Sequence, residues 1–190
     1  MGTFDGSPMD KLIMKLKEIE LIPVMWEEMN KLQTLSRTTF LDAYGEKTRT
    51  DLMDIYLENQ LSMKSLRREW AHTASRFYFI LYGGLRAGYV KVNTGAAQGR
   101  KWKDTLNGFH LERIYVLKEF QGNGIGESVL ALVESLARKA SAKFVWLSVW
   151  DQNPAAKRFY EKNGFHKAGE IIFRFVTEDH TDFIMKKELR

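Results

Sequence analysis

The sequence predicts an α+β fold, a mixed sheet covered by helices. Three observations carry that reading. Runs alternating with period two recur along the chain, and segments between them carry apolar residues at helical spacing. The two kinds of run follow one another as β-α-α-α-β-β-β-α-β-α-β-β, with turn residues between them.

Taken in order, residues 12–17 alternate apolar and charged side chains and predict an opening strand. Met25, Met29, Leu32 and Leu35 predict a helix over 22–44, with Pro23 near its start and Gly45 at its end. Residues 51–59 and 62–71 predict two short helices, with Asp51 and Ser62 near their N-caps. Strands over 77–81 and 88–93 are joined through Gly83-Gly84, and 94–107 is polar enough for a loop. A strand over 111–117 precedes a helix over 125–140, whose Ile125, Val129, Leu132, Val133 and Leu136 share one face. A strand over 143–150 and a helix opened by Pro154 follow, and 170–176 with 181–187 close the chain as a hairpin.

At 190 residues the chain fits one domain. Residues 1–8 read as a disordered leader or cloning scar, and 9–190 as that single domain. With 44% hydrophobic and 28% charged residues there is enough apolar surface for a core, and no run approaches the roughly 20 residues of a membrane span. The absence of cysteine excludes disulfides and thiol nucleophiles and suits a reducing cytoplasm. A net charge of +5 favours anionic partners. The basic residues are scattered, without the Lys/Arg blocks of a nucleic-acid-binding protein. His72, His166 and His180 have no metal-ligand spacing, so no metal is expected.

The most informative segment is Q-G-N-G-I-G, from Gln121 to Gly126, between a strand and a helix start. The first amides of a helix have no intrahelical partner, and the helix dipole adds positive charge there. Glycines let a phosphate come close, so the segment reads as a phosphate or pyrophosphate seat, or else as a tight turn only. Its glycine spacing fits neither a dinucleotide fingerprint nor a nucleotide triphosphate loop. Some thirty residues on, Asn153-Pro154-Ala155-Ala156 opens a helix carrying Phe159 and Tyr160 and ending in Asn163-Gly164-Phe165.

The paired pattern Q-x-x-G-x-G, then N-x-x-A-x-x-F-Y-x-x-x-G-F, resembles the GCN5-related N-acetyltransferases, the GNAT superfamily. A closer similarity, to PaiA-type bacterial spermidine/spermine N-acetyltransferases, rests on T-F-L-D-A-Y (39–44), A-G-Y-V-K-V-N (87–93), L-E-R-I-Y-V (111–116), W-L-S-V-W (146–150) and T-D-F-I-M (181–185). The resemblance implies a mixed, mostly antiparallel sheet with a splayed central strand pair, acetyl-CoA as acyl donor, and a monomer or homodimer.

It also implies roles. Backbone at Ile114, Tyr115 and Val116 meets the acetyl and pantetheine end. Gln121, Gly122, Asn123, Gly124, Ile125, Gly126 and Glu127 form the pyrophosphate loop, with Gln121 bracing it. Asn153, by itself a helix N-cap, also bonds the pantetheine arm, and Lys162 reaches a CoA phosphate or solvent. The strand period places Glu112, Ile114 and Val116 on one face, with His110 one step earlier. Amine acetylation needs a neutral nucleophile, so Glu112 and His110 are candidate bases and Tyr160 the acid for the departing thiolate. Trp146 and Trp150 share a face, one as core and the other as a wall of the acceptor channel.

Asp42, Asp51, Asp54 and Glu58 make an acidic segment, the last three on one helix face, and are candidate contacts for a polyamine. The function expected is acetyl transfer from acetyl-CoA to a primary amine, most simply spermidine or spermine. A protein N-terminus, a lysine or an antibiotic amine is the alternative acceptor, and a non-catalytic CoA-binding regulator the alternative class.

Overall fold

The computed structural model describes residues 19–98 and 107–189, in which seven strands form one sheet. The strands are β1 (Ile19–Pro23), β2 (Ser75–Tyr82), β3 (Leu85–Asn93), β4 (Gly108–Val116), β5 (Phe144–Trp150), β6 (His166–Phe175) and β7 (Glu178–Glu188). They lie in the order β1-β2-β3-β4-β5-β7-β6, and among the described residues only β4 and β5 run parallel. Three helices, α1 (Met29–Tyr44), α2 (Thr50–Gln60) and α3 (Met63–Ala71), cover one face. The other face carries α4 (Ile125–Lys139), which connects the parallel pair, and α5 (Pro154–Lys162).

Each helix is placed by its apolar stripe. On α4, Ile125, Val129, Val133 and Ala137 are buried against Val90, Val92, Leu111, Val145 and Leu147 of the sheet. On the opposite face Leu32, Leu35, Phe40, Met53, Leu57 and Leu66 meet Phe77, Phe79 and Tyr89. Each large apolar side chain so buried contributes about 1.5–3 kcal/mol. The two faces are therefore independent cores sharing one sheet.

Several expectations need correction. The strand expected over 12–17 and the leader over 1–8 lie outside the described residues. The helix expected from residue 22 begins at Met29, because Ile19–Pro23 pairs with β2 as an edge strand. Pro23, which lacks a donor, is tolerated at such an edge. Met25, expected on the buried stripe, is 57% exposed just before a short 3-10 turn. The closing hairpin extends over His166–Phe175 and Glu178–Glu188, longer than the apolar runs that announced it. In the expected loop after Asn93, Gly95–Gln98 forms a 3-10 turn.

Candidate active site

The site is built where the sheet comes apart. The β4–β5 ladder holds only three pairs, Gly108–Phe144, Phe109–Val145 and His110–Trp146. Beyond it, Leu111–Val116 and Leu147–Trp150 are unpaired with each other and line a cleft of about 520 Å³. The β3–β4 register explains the change of direction. Lys91 pairs with Arg113 and Val92 with Leu111, so Glu112 is an extra residue, a β-bulge. Bulges bend a strand and raise its twist, and this one sits where the ladder stops.

The bulge also corrects the face assignment. Strict alternation would put Glu112 beside Ile114 and Val116. Instead Ile114 and Val116 pack toward α4, whereas Glu112 joins Lys91 and Arg113 on the opposite side, where Arg113 meets Glu69 of α3. The backbone of Ile114 and Val116 still faces the gap. The Leu117 amide donates to the Ala87 carbonyl on β3 at 2.8 Å, so Tyr115 and Arg113 also turn their backbone to β3 and the residues between turn theirs away. The Val116 carbonyl accepts from Gln121 Nε2 at 2.9 Å, which ties the strand end to the glycine turn.

Four charged side chains form a network beside the cleft. Lys91 Nζ lies 2.8 Å from Glu69 and 2.7 Å from Glu112, and Arg113 grips Glu69 through two hydrogen bonds. Asn93 Nδ2 also donates to Glu112. Burial raises the Glu112 pKa, but Arg113 first, then Lys91 and Asn93, outweigh it and hold the carboxyl at about 2. A folded pKa below the free value of 4.5 means the stabilisation is complete above about pH 4.5 and is lost as pH falls toward 2. The difference corresponds to something on the order of 3 kcal/mol. Glu112→Gln is expected to be less stable than wild type at pH 7, with the gap closing as pH falls through that window. Urea unfolding at several pH values checks it, and a gap independent of pH would contradict it.

Tyr160 stands across the gap on α5 and is 9% exposed. The Asn163-Gly164-Phe165 signature fixes it. Gly164 has φ +85°, the Phe165 amide donates to the Tyr160 carbonyl at 3.0 Å, and the Gly164 amide donates to that of Glu161. This is a Schellman cap, which brings the Phe165 ring within 5.7 Å of the Tyr160 ring. Burial, and secondarily Tyr44, push the Tyr160 hydroxyl well above the usual phenol range, so it keeps its proton at any physiological pH.

At the start of α4, Gly122 and Gly124 have φ of 81° and 71°, and Gly124 is the N-cap. The first helical carbonyl–amide bond runs from Ser128 to Gly124, so the amides of Ile125, Gly126 and Glu127 precede the helical ladder. Gly126 serves a different need, because a Cβ there would lie 3.0 Å from the Phe159 ring of α5. Asn123 Nδ2 braces the turn through the Phe120 carbonyl. The open turn, the helix start and the gap-facing backbone of β4 form one line, which fits a long anionic thioester.

The remaining predicted residues divide clearly. Asn153 caps α5, accepting from the Ala156 amide at 3.1 Å, and lines the cleft. Trp150 lines it too, whereas Trp146 is fully buried and stacked on His110 at 3.8 Å. His110 is 3% exposed and not among the cleft residues. Lys162 pairs with Glu127 at 2.9 Å, both exposed. Asp42, Asp51, Asp54 and Glu58 are not brought to the cleft. All four are exposed, Asp51 pairs with Arg49, and Glu58 pairs with Arg37. Leu52, Met53 and Leu57 take the buried face of α2, so these carboxylates face solvent.

Sequence reading missed Glu69, Lys91 and Asp182, and did not single out the aromatic wall. Phe40, Tyr56 and Phe175 stack in series at 4.5 and 4.8 Å, joining α1 and α2 to the β6–β7 hairpin over the cleft. Tyr44 and Tyr115 add a hydrogen-bonded pair of phenols. One signal was available: the apolar positions Phe109, Leu111, Ile114 and Val116 step by two, three and two, which marks the bulge at Glu112.

A splayed parallel pair, a glycine-turned helix start beside it and a buried tyrosine opposite define an acyl-CoA-dependent transferase. Residues 30–165 match the model of the acetyltransferase (GNAT) family, and the chain belongs to that family. It is an enzyme that uses acetyl-CoA to acetylate an amine. An uncharacterized N-acetyltransferase in the pepI 3' region of Lactobacillus delbrueckii subsp. lactis is 33% identical over 171 residues, covering 90% of this chain and 98% of that protein. The spermine/spermidine N(1)-acetyltransferase of Bacillus subtilis is 25% identical over 162 residues, 78% of this chain and 97% of that one. The crystal structure of PaiA N-acetyltransferase from Thermoplasma acidophilum in complex with coenzyme A has a TM-score of 0.70 at 21% identity, covering 90% and 99% of the two chains.

Proposed function

We propose that the acceptor is a polyamine of the spermidine or spermine class, acetylated at a primary amine. The observation that carries this reading is a cleft with aromatic walls and three carboxylates, Glu69, Glu112 and Asp182. A polyamine alternates ammonium groups with methylene spacers. Its cations gain about 0.5–2 kcal/mol on aromatic faces, and its spacers are apolar. Relatives named as spermine acetyltransferases, at 25–26% identity over 78% of this chain, support the same class.

We assign the distal ammonium to the Asp182 carboxylate, which stands opposite Trp150 in the β5–β7 ladder and lines the cleft together with Tyr44, Trp150 and Phe175. A charge-assisted contact is worth about 1.5–3 kcal/mol. Asp182→Asn is therefore expected to raise the spermine KM at least about tenfold and to leave the acetyl-CoA KM within about twofold. An unchanged spermine KM would remove Asp182 from the acceptor site. Neutralising Asp51, Asp54 and Glu58 together is the control, with no effect expected.

Bound acetyl-CoA supplies an acyl group already activated as a thioester. The chain supplies placement and one proton. The amides of Ile125, Gly126 and Glu127, with Gly122, Asn123 and Gly124 preceding them, would hold the pyrophosphate. Those of Ile114 and Val116 would hold the thioester end, with Asn153 beside it. Tyr160 would give its hydroxyl proton to the departing thiolate and be reprotonated from solvent, which takes up the proton that the amine nitrogen loses.

Glu112 is assigned as a fixed negative charge, not as the proton acceptor. Arg113, Lys91 and Asn93 hold its carboxyl at about 2, far too acidic to take a proton from a free ammonium of pKa ~10.4. Drawing on the neutral amine fraction at pH 7.4 costs only about 4 kcal/mol. His110 is likewise set aside, since it is 3% exposed and does not line the cleft. In the same assay, kcat/KM should rise with the neutral amine fraction in wild type and in Glu112→Gln alike, and loss of that slope in the variant would restore Glu112 as the base.

A further inference from the structure

Among the described residues β6 ends the sheet, and the geometry of its outer side is self-complementary. The two-residue turn Val176-Thr177 closes on the pair Phe175–Glu178, a hydrogen-bonded pair in such hairpins. By alternation, Phe173 and Ile171 also bond to β7, and the backbone groups of Arg174, Ile172 and Glu170 face away from it. An independent contact agrees. Thr181, the partner of Ile172, gives its carbonyl to the Asp151 amide at 3.0 Å, on the side away from β6.

The side chains of these three residues lie on one face of the strand and are exposed, Ile172 at 67%. The pattern is Glu170, Ile172, Arg174. Rotated by a two-fold axis through Ile172, it places Glu170 of each copy opposite Arg174 of the other and Ile172 opposite Ile172. All three pairs fall at positions whose backbone faces outward, so the same register satisfies the free amides and carbonyls. Directly opposed unlike charges favour an antiparallel pair, and like charges oppose it.

We propose that the chain forms a two-fold dimer through antiparallel pairing of β6 with β6 of a second copy, centred on Ile172. The contact is isologous, so it closes on itself and does not propagate. Glu170 and Arg174 already touch Lys167 and Asp179 on their own chain, but those pairs are exposed and can be shared. Phe173, Arg174 and Phe175 all line the cleft, and pairing along the outer backbone of β6 leaves the face that carries Phe173 and Phe175 turned toward it. One strand edge covers less than the ~800 Å² per partner of a standard interface, so the dimer is expected to be weak, with Kd in the micromolar range.

Sedimentation of the full chain from about 1 to 200 µM, a range bracketing such a Kd, tests this, with circular dichroism verifying each variant's fold. Wild type should pass from monomer to dimer. Ile172→Asp should stay monomeric. Glu170→Arg and Arg174→Glu should each weaken dimerisation at least about tenfold, as expected for opposed like charges, and the double swap should recover most of the loss. A wild-type chain monomeric throughout would overturn the proposal. So would a dimer indifferent to Ile172→Asp, or a double swap no better than either single one.

Discussion

Replacing Gly124 by aspartate is expected to weaken acetyl-CoA binding by about 100-fold or more, since two charge-assisted hydrogen bonds of about 1.5–3 kcal/mol each are put at risk. Gly124 has φ 71° and caps α4 immediately before the first-turn amides of Ile125, Gly126 and Glu127. Aspartate is among the side chains that best tolerate the left-handed region, and it is a favourable N-cap. The fold is thus expected to survive while a negative charge takes the place of the pyrophosphate. Gly124→Asn separates shape from charge and should lose much less. Calorimetry with acetyl-CoA and with CoA reads both variants, and equal affinities for wild type and Gly124→Asp would take this turn out of the account.

Tyr160→Phe is expected to lower kcat by about 10²–10⁴-fold, the usual range for a positioned acid or base. The ring is held by the Schellman cap and by Phe165, and phenylalanine preserves that packing. Only the hydroxyl is lost, so acetyl-CoA affinity should stay close to wild type. The raised pKa of the tyrosine means that no titration of this group should appear in the pH profile below about 10, its ordinary value. A variant turning over at the full rate would leave Tyr160 as packing alone.

What the sequence revealed was whatever is decided locally. The glycine turn before Ile125 and the Asn153 and Gly164 caps of α5 are set by residues within a few positions of each other. Their chemistry is therefore readable from spacing. The cleft carboxylates are not. Glu69 on α3, Glu112 on β4 and Asp182 on β7 meet only because the sheet and its helices assemble. The acidic row Asp51, Asp54 and Glu58 was visible in the sequence for the opposite reason. Helical spacing groups residues on the solvent side of α2 as readily as on a binding side, and here Leu52, Met53 and Leu57 take the inner side. Pro23 suggested a helix start because proline suits both that position and an edge strand. Strand pairing with β2 decided between them. The bulge at Glu112 sits between these cases, written in the apolar spacing of β4 but legible only once strict alternation is given up.

The most direct measurement is mass spectrometry of an acceptor mixture incubated with acetyl-CoA and the enzyme. The mixture holds spermidine, spermine, an aminoglycoside, a lysine peptide and a peptide with a free N-terminus at equal concentration. The account predicts that spermidine or spermine gains an acetyl group first, with one CoA released per acetyl transferred, and that Asp182→Asn abolishes this preference. Faster acetylation of a peptide or of the aminoglycoside than of either polyamine would contradict it.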